Sequence, residues 1–420
     1  DRALARELAA KSLVLLEDPG GLLPLSREGR LAVIGPLADD PRLLQGDYHY
    51  PAHAEIVYRR DADDLGAVLP RPDATSFAPG PFLPPTSTPL AAVREALGED
   101  ARVRFARGCE VTGDDAAAIP EAVAAAREAD GAVLLLGGRS GLTADCTVGE
   151  FRDAVDLGLP GVQTRLAQEV LATGTPTVVV VLSGRVHALG DLAGRGGALL
   201  LGFPPGEEGG HGLADVLFGA VAPSGRLPVT LPRHVGQVPL YAGRSWEAEG
   251  GLGPFTSDYA DLPAAPLFPF GHGLSTTRFR YADLAVEPAS TPADGEVEVS
   301  LTVVNEGRRA ADEVVQLYLR DPVARVVRPR RELAGFARVP LGPGEARRVR
   351  FRLDPARSGF HDAGLAFVVE PGEVQVAVGA SSEDLRLHGA FRVEGPERRL
   401  HPSQVRPTGV AVEAVAAPSA

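Results

Sequence analysis

Runs of unbroken apolar residues alternate along the first half of the chain with segments of helical period, and this alternation gives way to strict two-residue alternation near the C-terminus. "LAVIG" (31–35), "GAVLLLGG" (131–138), "TVVVVLSG" (177–184) and "GALLLGF" (197–203) are continuously apolar, as strands covered on both faces should be. "ARVRFA" (101–106) is a strand of the same length with charges interleaved. Between them "STPLAAVREAL" has Ser87 or Thr88 placed to cap and Pro89 in the first turn, and "AAIPEAVAAAREA", "PGVQTRLAQEVLAT" and "EEGGHGLADVLFG" follow as helices. The opening "ALARELAAKSLVLLED" reads as one helix leading into the turn Pro19-Gly20-Gly21. Strand and helix in alternation predict an α/β fold with an open, mostly parallel sheet, here residues 1–222.

Residues 223–278 break into Pro- and Gly-rich pieces, too apolar for a tether and too interrupted for helices, and are read as an ordered connector that packs across domains. From 279 to 396, "EVEVSLTVVNEG", "DEVVQLYLRD", "RRVRFRLD" and "GEVQVAVGA" alternate with period two between turn residues. They predict an all-β, antiparallel sandwich of about 110 residues. The Pro-, Ala- and Val-rich tail, 397–420, is expected to be disordered.

The length of 420 residues allows two or three domains, each with its own core. A net charge of −13 with almost no lysine argues against nucleic acid or an anionic membrane surface as partner. No apolar run approaches the roughly 20 residues of a membrane span, and no signal-peptide pattern opens the chain, so it reads as soluble, with the compartment, cytoplasmic or secreted, left open. The sequence has no Met and starts inside a helical pattern, which is expected of a piece whose N-terminal part is missing. Cys109 and Cys146 are read as two buried thiols, with one loop-to-loop disulfide as the alternative. No CxxC spacing points to zinc, and neither "GCEVTG" nor "GGRSGL" continues as a phosphate loop.

Ligands of open α/β sheets bind at the carboxyl ends of the strands. There, after "GAVLLLGG", the loop "GLTADCTVGEFRDAVDLGLPG" carries Glu150, flanked by Asp145, Arg152 and Asp153. Asp153 is read as ordering the loop, while Arg139 and Ser140 stand at the strand end, within range of Glu150 or of a ligand hydroxyl. On residue type alone Glu150 is an ordinary loop carboxylate, paired with Arg152. Glu207 and Glu208 suit the positive end of the helix they open, and His211 and His272 read as structural histidines.

The ordered motifs "SLVLLEDPGGLLPL", "LAVIGPLADDP", "GDYHYPAH", "SGLTADCTVGEFRD", "DLGLPGVQ", "GFPPGEEGGHGLADVLFGAVAPSGRLPVTLPRHVGQVPLY" and "PLFPFGHGLSTTRF" resemble the C-terminal half of glycoside hydrolase family 3. The resemblance extends to about Gly395, because the β-rich part is similar to the fibronectin type III-like domain of many members. It implies a retaining, exo-acting β-glycosidase of β-glucosidase or β-xylosidase type, acting on a terminal β-linked sugar of an oligosaccharide or glycoside. The nucleophilic aspartate would come from an N-terminal barrel of the same protein, which this sequence lacks; Trp246 is the only tryptophan and lies in no nucleophile motif. The family's loop glutamate, after a Gly and ahead of an Arg/Asp pair, falls on Glu150 in "VGEFRD". The resemblance also puts Tyr48, with Asp47 and His49 beside it, at the leaving-group subsite. Two carboxyl groups suffice for this chemistry, so no cofactor is implied. The loop resembles the β-xylosidase-like and bacterial β-glucosidase-like members more than the peptidoglycan-trimming ones. The competing expectations are a noncatalytic sugar-binding or docking module, and a purely structural adhesion domain presenting "VVQLYL" and "LAGFARVPL".

Overall fold

A computed structural model describes residues 1–58, 84–98, 102–244 and 259–416. The chain divides into two compact units, one of Asp1–Gly225 with Pro232–Val238, the other of Arg226–Leu231 with Pro239–Ala420.

In chain order the first unit contains α1 (Arg2–Ser12), β1 (Val14–Glu17), β2 (Arg30–Ile34), α2 (Tyr50–Tyr58), α3 (Pro89–Leu97), β3 (Arg102–Ala106), α4 (Ile119–Arg127), β4 (Gly131–Gly137), α5 (Gln163–Leu171), β5 (Thr177–Leu182), β6 (Ala198–Gly202) and α6 (Gly209–Leu217). The strands form one sheet in the order β1-β6-β5-β4-β2-β3, with β2 to β6 parallel and β1 antiparallel to β6. β4, β5 and β6, flanked by strands on both sides, are buried almost throughout, which is why their sequences are unbroken apolar runs. β3 lies on the edge of the sheet and keeps Arg102 and Arg104 at its surface, so its interleaved charges are an edge-strand signature.

The start of α3 follows the local chemistry. Thr88 Oγ1 accepts from the Ala91 N–H at 3.2 Å and donates to Asp39 at 2.8 Å, while Pro89 occupies the first turn of α3. The single long opening helix is corrected: it ends at Ser12, and Val14, Leu15 and Leu16 enter the sheet beside β6. No Gly, Pro, Asn or Asp stands between Ser12 and Val14, so the sequence gives no break at Leu13.

Strand order reverses between β2 and β4. The chain leaves β2 for β3 on one side, then crosses back to place β4 on the other. Loops leaving the two neighbouring carboxyl ends therefore diverge, and a crevice opens between them. The turn after β2 needs glycine: Gly35 has φ +116°, and a Cβ there would lie 2.1 Å from the Leu135 carbonyl oxygen of β4.

The second unit contains β7 (Phe279–Glu287), β8 (Ser290–Pro292), β9 (Val297–Asn305), β10 (Ala311–Arg320), β11 (Glu332–Leu341), β12 (Ala346–Leu353), β13 (Phe360–His361), β14 (Phe367–Val369), β15 (Gly372–Gly379), β16 (Leu385–Glu394), β17 (Arg398–Arg399) and β18 (Gly409–Val415). They form sheets β11-β10-β15-β16-β8, β18-β12-β9-β7 and a small β13-β14-β17. Val299, Leu301 and Val303 of β9 share one core with Val315, Leu317 and Leu319 of β10, Phe351 and Phe391. Each such side chain contributes about 1.5–3 kcal/mol by burial. The pairing is antiparallel except for β8 against β16, which is parallel.

The tail after Glu397 is a second correction. β17 pairs with β14, and β18 pairs with β12 from Ala346↔Val415 to Arg352↔Gly409. Arg406 anchors this return, its N–H and Nε reaching Asp354 at 2.9 and 3.0 Å. Residues 417–420 lie outside the described residues. Of the expected connector, 245–258, including Trp246, also lie outside them; in the second unit Leu227, Leu231 and Phe268 are buried, and Leu231 bridges Phe268. No helix among the described residues is long and apolar enough to cross a membrane.

Burial by itself would raise the pKa of Asp354, but the hydrogen bonds from Arg406 and Ala356 outweigh it and hold the carboxyl below the ordinary aspartate value. The stabilisation is therefore complete above the unfolded value of about 3.9 and is lost as pH falls through the lower folded one. Asp354→Asn is expected to cost about 1.5–3 kcal/mol at neutral pH. In urea unfolding, the gap between variant and parent should close as pH drops below about 3.9.

Candidate active site

The crevice between β2 and β4 is built from two loops. The first leaves β2 and passes through "ADDPRLLQGDYHYPAH". Asp40 caps a short 3-10 turn over Pro41–Leu44 by accepting from the Arg42 N–H at 2.9 Å, and the chain then runs past Asp47, Tyr48 and His49 into α2. The second leaves β4. Gln163, fully buried near the start of α5, clamps that strand end, accepting from the Gly137 N–H at 2.8 Å and donating to the Gly137 and Val111 carbonyls at 2.8 and 2.9 Å.

Beyond Gly138 the second loop folds back on itself. The Arg139 N–H donates to Thr147 Oγ1 at 2.9 Å, the Thr147 N–H to the Arg139 carbonyl at 2.9 Å, and the Gly141 N–H to the Val148 carbonyl at 2.9 Å. Inside the ring Thr143 Oγ1 donates to Asp145 at 2.6 Å, and Arg152 ties the outgoing chain to the Leu142 carbonyl at 2.9 Å. Arg185, after β5, donates to the Thr147 and Arg152 carbonyls from behind. This closed ring presents Glu150 to solvent at its rim. Gly149 makes the closure sterically feasible: its φ is +137°, and a Cβ there would fall 2.2 Å from the Gly141 carbonyl oxygen and 3.3 Å from Asp47 Oδ2.

The two loops meet at the rim. Tyr48 donates its phenol proton to Glu150 Oε2 at 3.1 Å, which raises the Tyr48 pKa first through that hydrogen bond and then through the carboxylate's charge. Tyr48 is 74% exposed and Phe151, next to Glu150, is 70% exposed, so aromatic surface flanks the carboxylate. His49 is half-buried, and burial, then the nearby Arg42, holds its pKa below the ordinary histidine value. Asp47, Tyr48, His49 and Glu150 are thus gathered on one edge of the sheet. Behind the ring a cavity of about 650 Å³ is lined by Cys146, Phe151, Asp153, Leu159, Arg185 and His187.

Arg139 and Ser140 are placed differently from the expectation. Arg139 pairs with Glu55 at 3.2 Å and Asp145 at 3.5 Å, and Ser140 is buried, its carbonyl accepting from Arg42 at 2.8 Å. Burial works against the Arg139 charge, yet Glu55 and Asp145 outweigh it and raise its pKa. Arg152, read from the sequence as a partner of Glu150, also donates to the Leu142 carbonyl. Cys109 and Cys146 are free and buried, and burial pushes the Cys109 thiol up to about 11. Glu208 is engaged by Arg2 and by His211 at 2.5 Å, consistent with a structural role.

Arg42, Glu55 and Gln163 were missed. Arg42 and Glu55 are 5% and 2% exposed, although nothing in their neighbours along the chain marks them as buried. Among the described residues no group of His, Cys, Asp and Glu is arranged to hold a metal ion.

The model of the glycosyl hydrolase family 3 C-terminal domain matches residues 13–276, and that of the fibronectin type III-like domain matches 313–382. A periplasmic β-glucosidase of Salmonella typhimurium is 32% identical, covering 93% of this chain and 50% of its own length. A β-xylosidase of Formosa agariphila is 35% identical, with 91% and 48% covered. The crystal structure of a β-glucosidase from Listeria innocua in complex with glucose superposes with a TM-score of 0.78 at 30% identity, covering 94% of this chain and 50% of that one. The chain spans about half the length of these relatives.

Gly149→Ala is expected to force the ring open, because alanine is strained at that φ and its methyl group meets a backbone oxygen. The expected cost is about 1–3 kcal/mol. Amide exchange should show Gly141 and Thr147 deprotected while β4 and β5 keep their protection; unchanged exchange at both would remove the steric argument.

Proposed function

The chain belongs to glycoside hydrolase family 3, and on that footing we propose that it supplies the acid/base glutamate of a retaining, exo-acting β-glycosidase. Its relatives bear the names β-glucosidase and β-xylosidase, and it corresponds to their C-terminal half. The observation that carries the reading is the position of Glu150: an exposed carboxyl group on a hydrogen-bonded ring, at the switch point of the sheet, in contact with Tyr48.

Retaining hydrolysis needs a carboxyl group that gives a proton to the leaving oxygen and, about 5–5.5 Å away, a second that attacks the anomeric carbon. After the sugar is bound to the second group, the first takes a proton from water, which displaces the enzyme carboxylate. Glu150 suits the first role because its loop is braced from below while its oxygens stay open to a substrate from outside the unit. Tyr48 holds one of those oxygens, leaving the other free to face the glycosidic oxygen. The exposed rings of Tyr48 and Phe151 suit the C–H faces of a leaving-group sugar or aglycone, and Asp47 and His49 provide polar edges. The nucleophile and most of the pocket for the terminal sugar would belong to an N-terminal barrel. Arg139 and Ser140 then act beneath the loop rather than on the sugar. No cofactor enters this chemistry.

The test is to join the chain to its barrel half and compare parent with Glu150→Gln on aryl β-glucosides and β-xylosides. kcat is expected to fall by about 10²–10⁴. The loss should be smaller for good leaving groups, which need less protonation. The 420-residue chain alone should show only background turnover. A Glu150→Gln enzyme with parental kcat on poor leaving groups would assign this unit to docking or sugar binding instead.

A further inference from the structure

One buried carboxylate touches both loops of the site. Glu55, on α2, accepts from Arg42 Nε at 2.9 Å and Arg139 Nη2 at 3.2 Å on Oε1, and from Arg42 Nη2 at 2.9 Å on Oε2. Arg42 Nη2 also donates to the Ser140 carbonyl at 2.8 Å. The three side chains come from three segments. Arg42 precedes Tyr48, Glu55 follows it, and Arg139 begins the loop that ends at Glu150.

We propose that Glu55 is a positioning residue that keeps the Tyr48 phenol and the Glu150 carboxyl group in register across the crevice. The bidentate Arg42–Glu55 pair closes the chain on either side of Tyr48, so the tyrosine sits at the tip of a clamped loop. Through Arg139 and the Ser140 carbonyl, the same pair grips the root of the Glu150 ring. Charges nearly balance: two guanidiniums face Glu55 and, at the surface, Asp145. Without Glu55, Arg42 would be a buried cation beside Arg139 with no buried anion, and the two loop roots would be driven apart. The exposed Tyr48–Glu150 hydrogen bond is too weak to hold them. The buried clamp sets the separation and the surface contact follows it.

The kinetic part of this inference rests on the glycosidase reading; the geometric part does not, so the test has both arms. With ¹³C-labelled tyrosine in the 420-residue chain, and the Tyr48 signal assigned through Tyr48→Phe, phenol titration reports the Glu150 contact directly. Glu55→Gln and Arg139→Gln should both move the Tyr48 titration down toward the ordinary tyrosine value of about 10, as Glu150→Gln should. Glu55→Asp, which keeps the charge, should restore part of the shift. Arg139→Gln leaves the Arg42–Glu55 pair intact, so it decides the matter if Glu55→Gln fails to fold. In the enzyme joined to its barrel, both variants should lower kcat by about 10- to 100-fold, with a smaller change in KM. Folded Glu55→Gln and Arg139→Gln proteins with the parental Tyr48 titration and parental kcat would overturn the proposal. If Glu150→Gln itself leaves kcat unchanged, the glycosidase reading falls, and the titration still answers whether Glu55 positions the loops.

Discussion

A carboxylate that is 2% exposed must be paired, and the first unit's crevice is organised around how Glu55 meets that requirement. Its oxygens accept from Arg42 and Arg139, which lie on opposite sides of the strand-order reversal between β2 and β4. The sheet topology makes the crevice, since loops leaving β2 and β4 diverge there. The ion-pair network then draws the roots of those loops together. A buried pair of this kind adds little net stability compared with an apolar core, but breaking it is costly, and this asymmetry makes it a device for geometry.

Above the network the character of the site changes. Backbone and side-chain hydrogen bonds close the Glu150 ring over buried Ser140, Thr143 and Cys146, and exposed Phe151 and, from the other loop, Tyr48 stand beside Glu150. The order inside the site is therefore graded: a rigid, charge-paired floor, a hydrogen-bonded ring, and an open upper surface. This grading preorganises the Glu150 carboxyl group without enclosing it.

The second unit is stabilised differently. Its two main sheets share a dense core of Val, Leu and Phe, and the chain's last described strand returns to complete one of them. Asp354 is again a buried carboxylate that receives its partners from a distant segment, and Arg406 thereby brings a compositionally unremarkable tail back to β12. In both units, a buried acid ties together segments far apart in the chain.

The apolar periods along the chain were enough for β2 to β6, for α3 to α6, and for the main strands of the sandwich, because burial on one or two faces is imposed residue by residue on neighbours in sequence. β1 escaped because no turn residue separates it from the helix before it, and β18 because an exposed edge strand needs no apolar alternation. The motifs singled out Glu150, Tyr48, Asp47 and His49, of which Tyr48 and Glu150 meet in the fold, whereas nothing local singled out Arg42, Glu55 or Gln163. Arg42 meets Ser140 across 98 residues and Gln163 meets Val111 across 52, and a charged or amide side chain carries no local sign of whether it will be solvated or paired. The sequence by itself thus determined which segments are buried and where a carboxylate stands beside a strand end. Only the tertiary structure decided which buried charges neutralise one another, since that pairing exists only once the sheet has brought distant strand ends side by side.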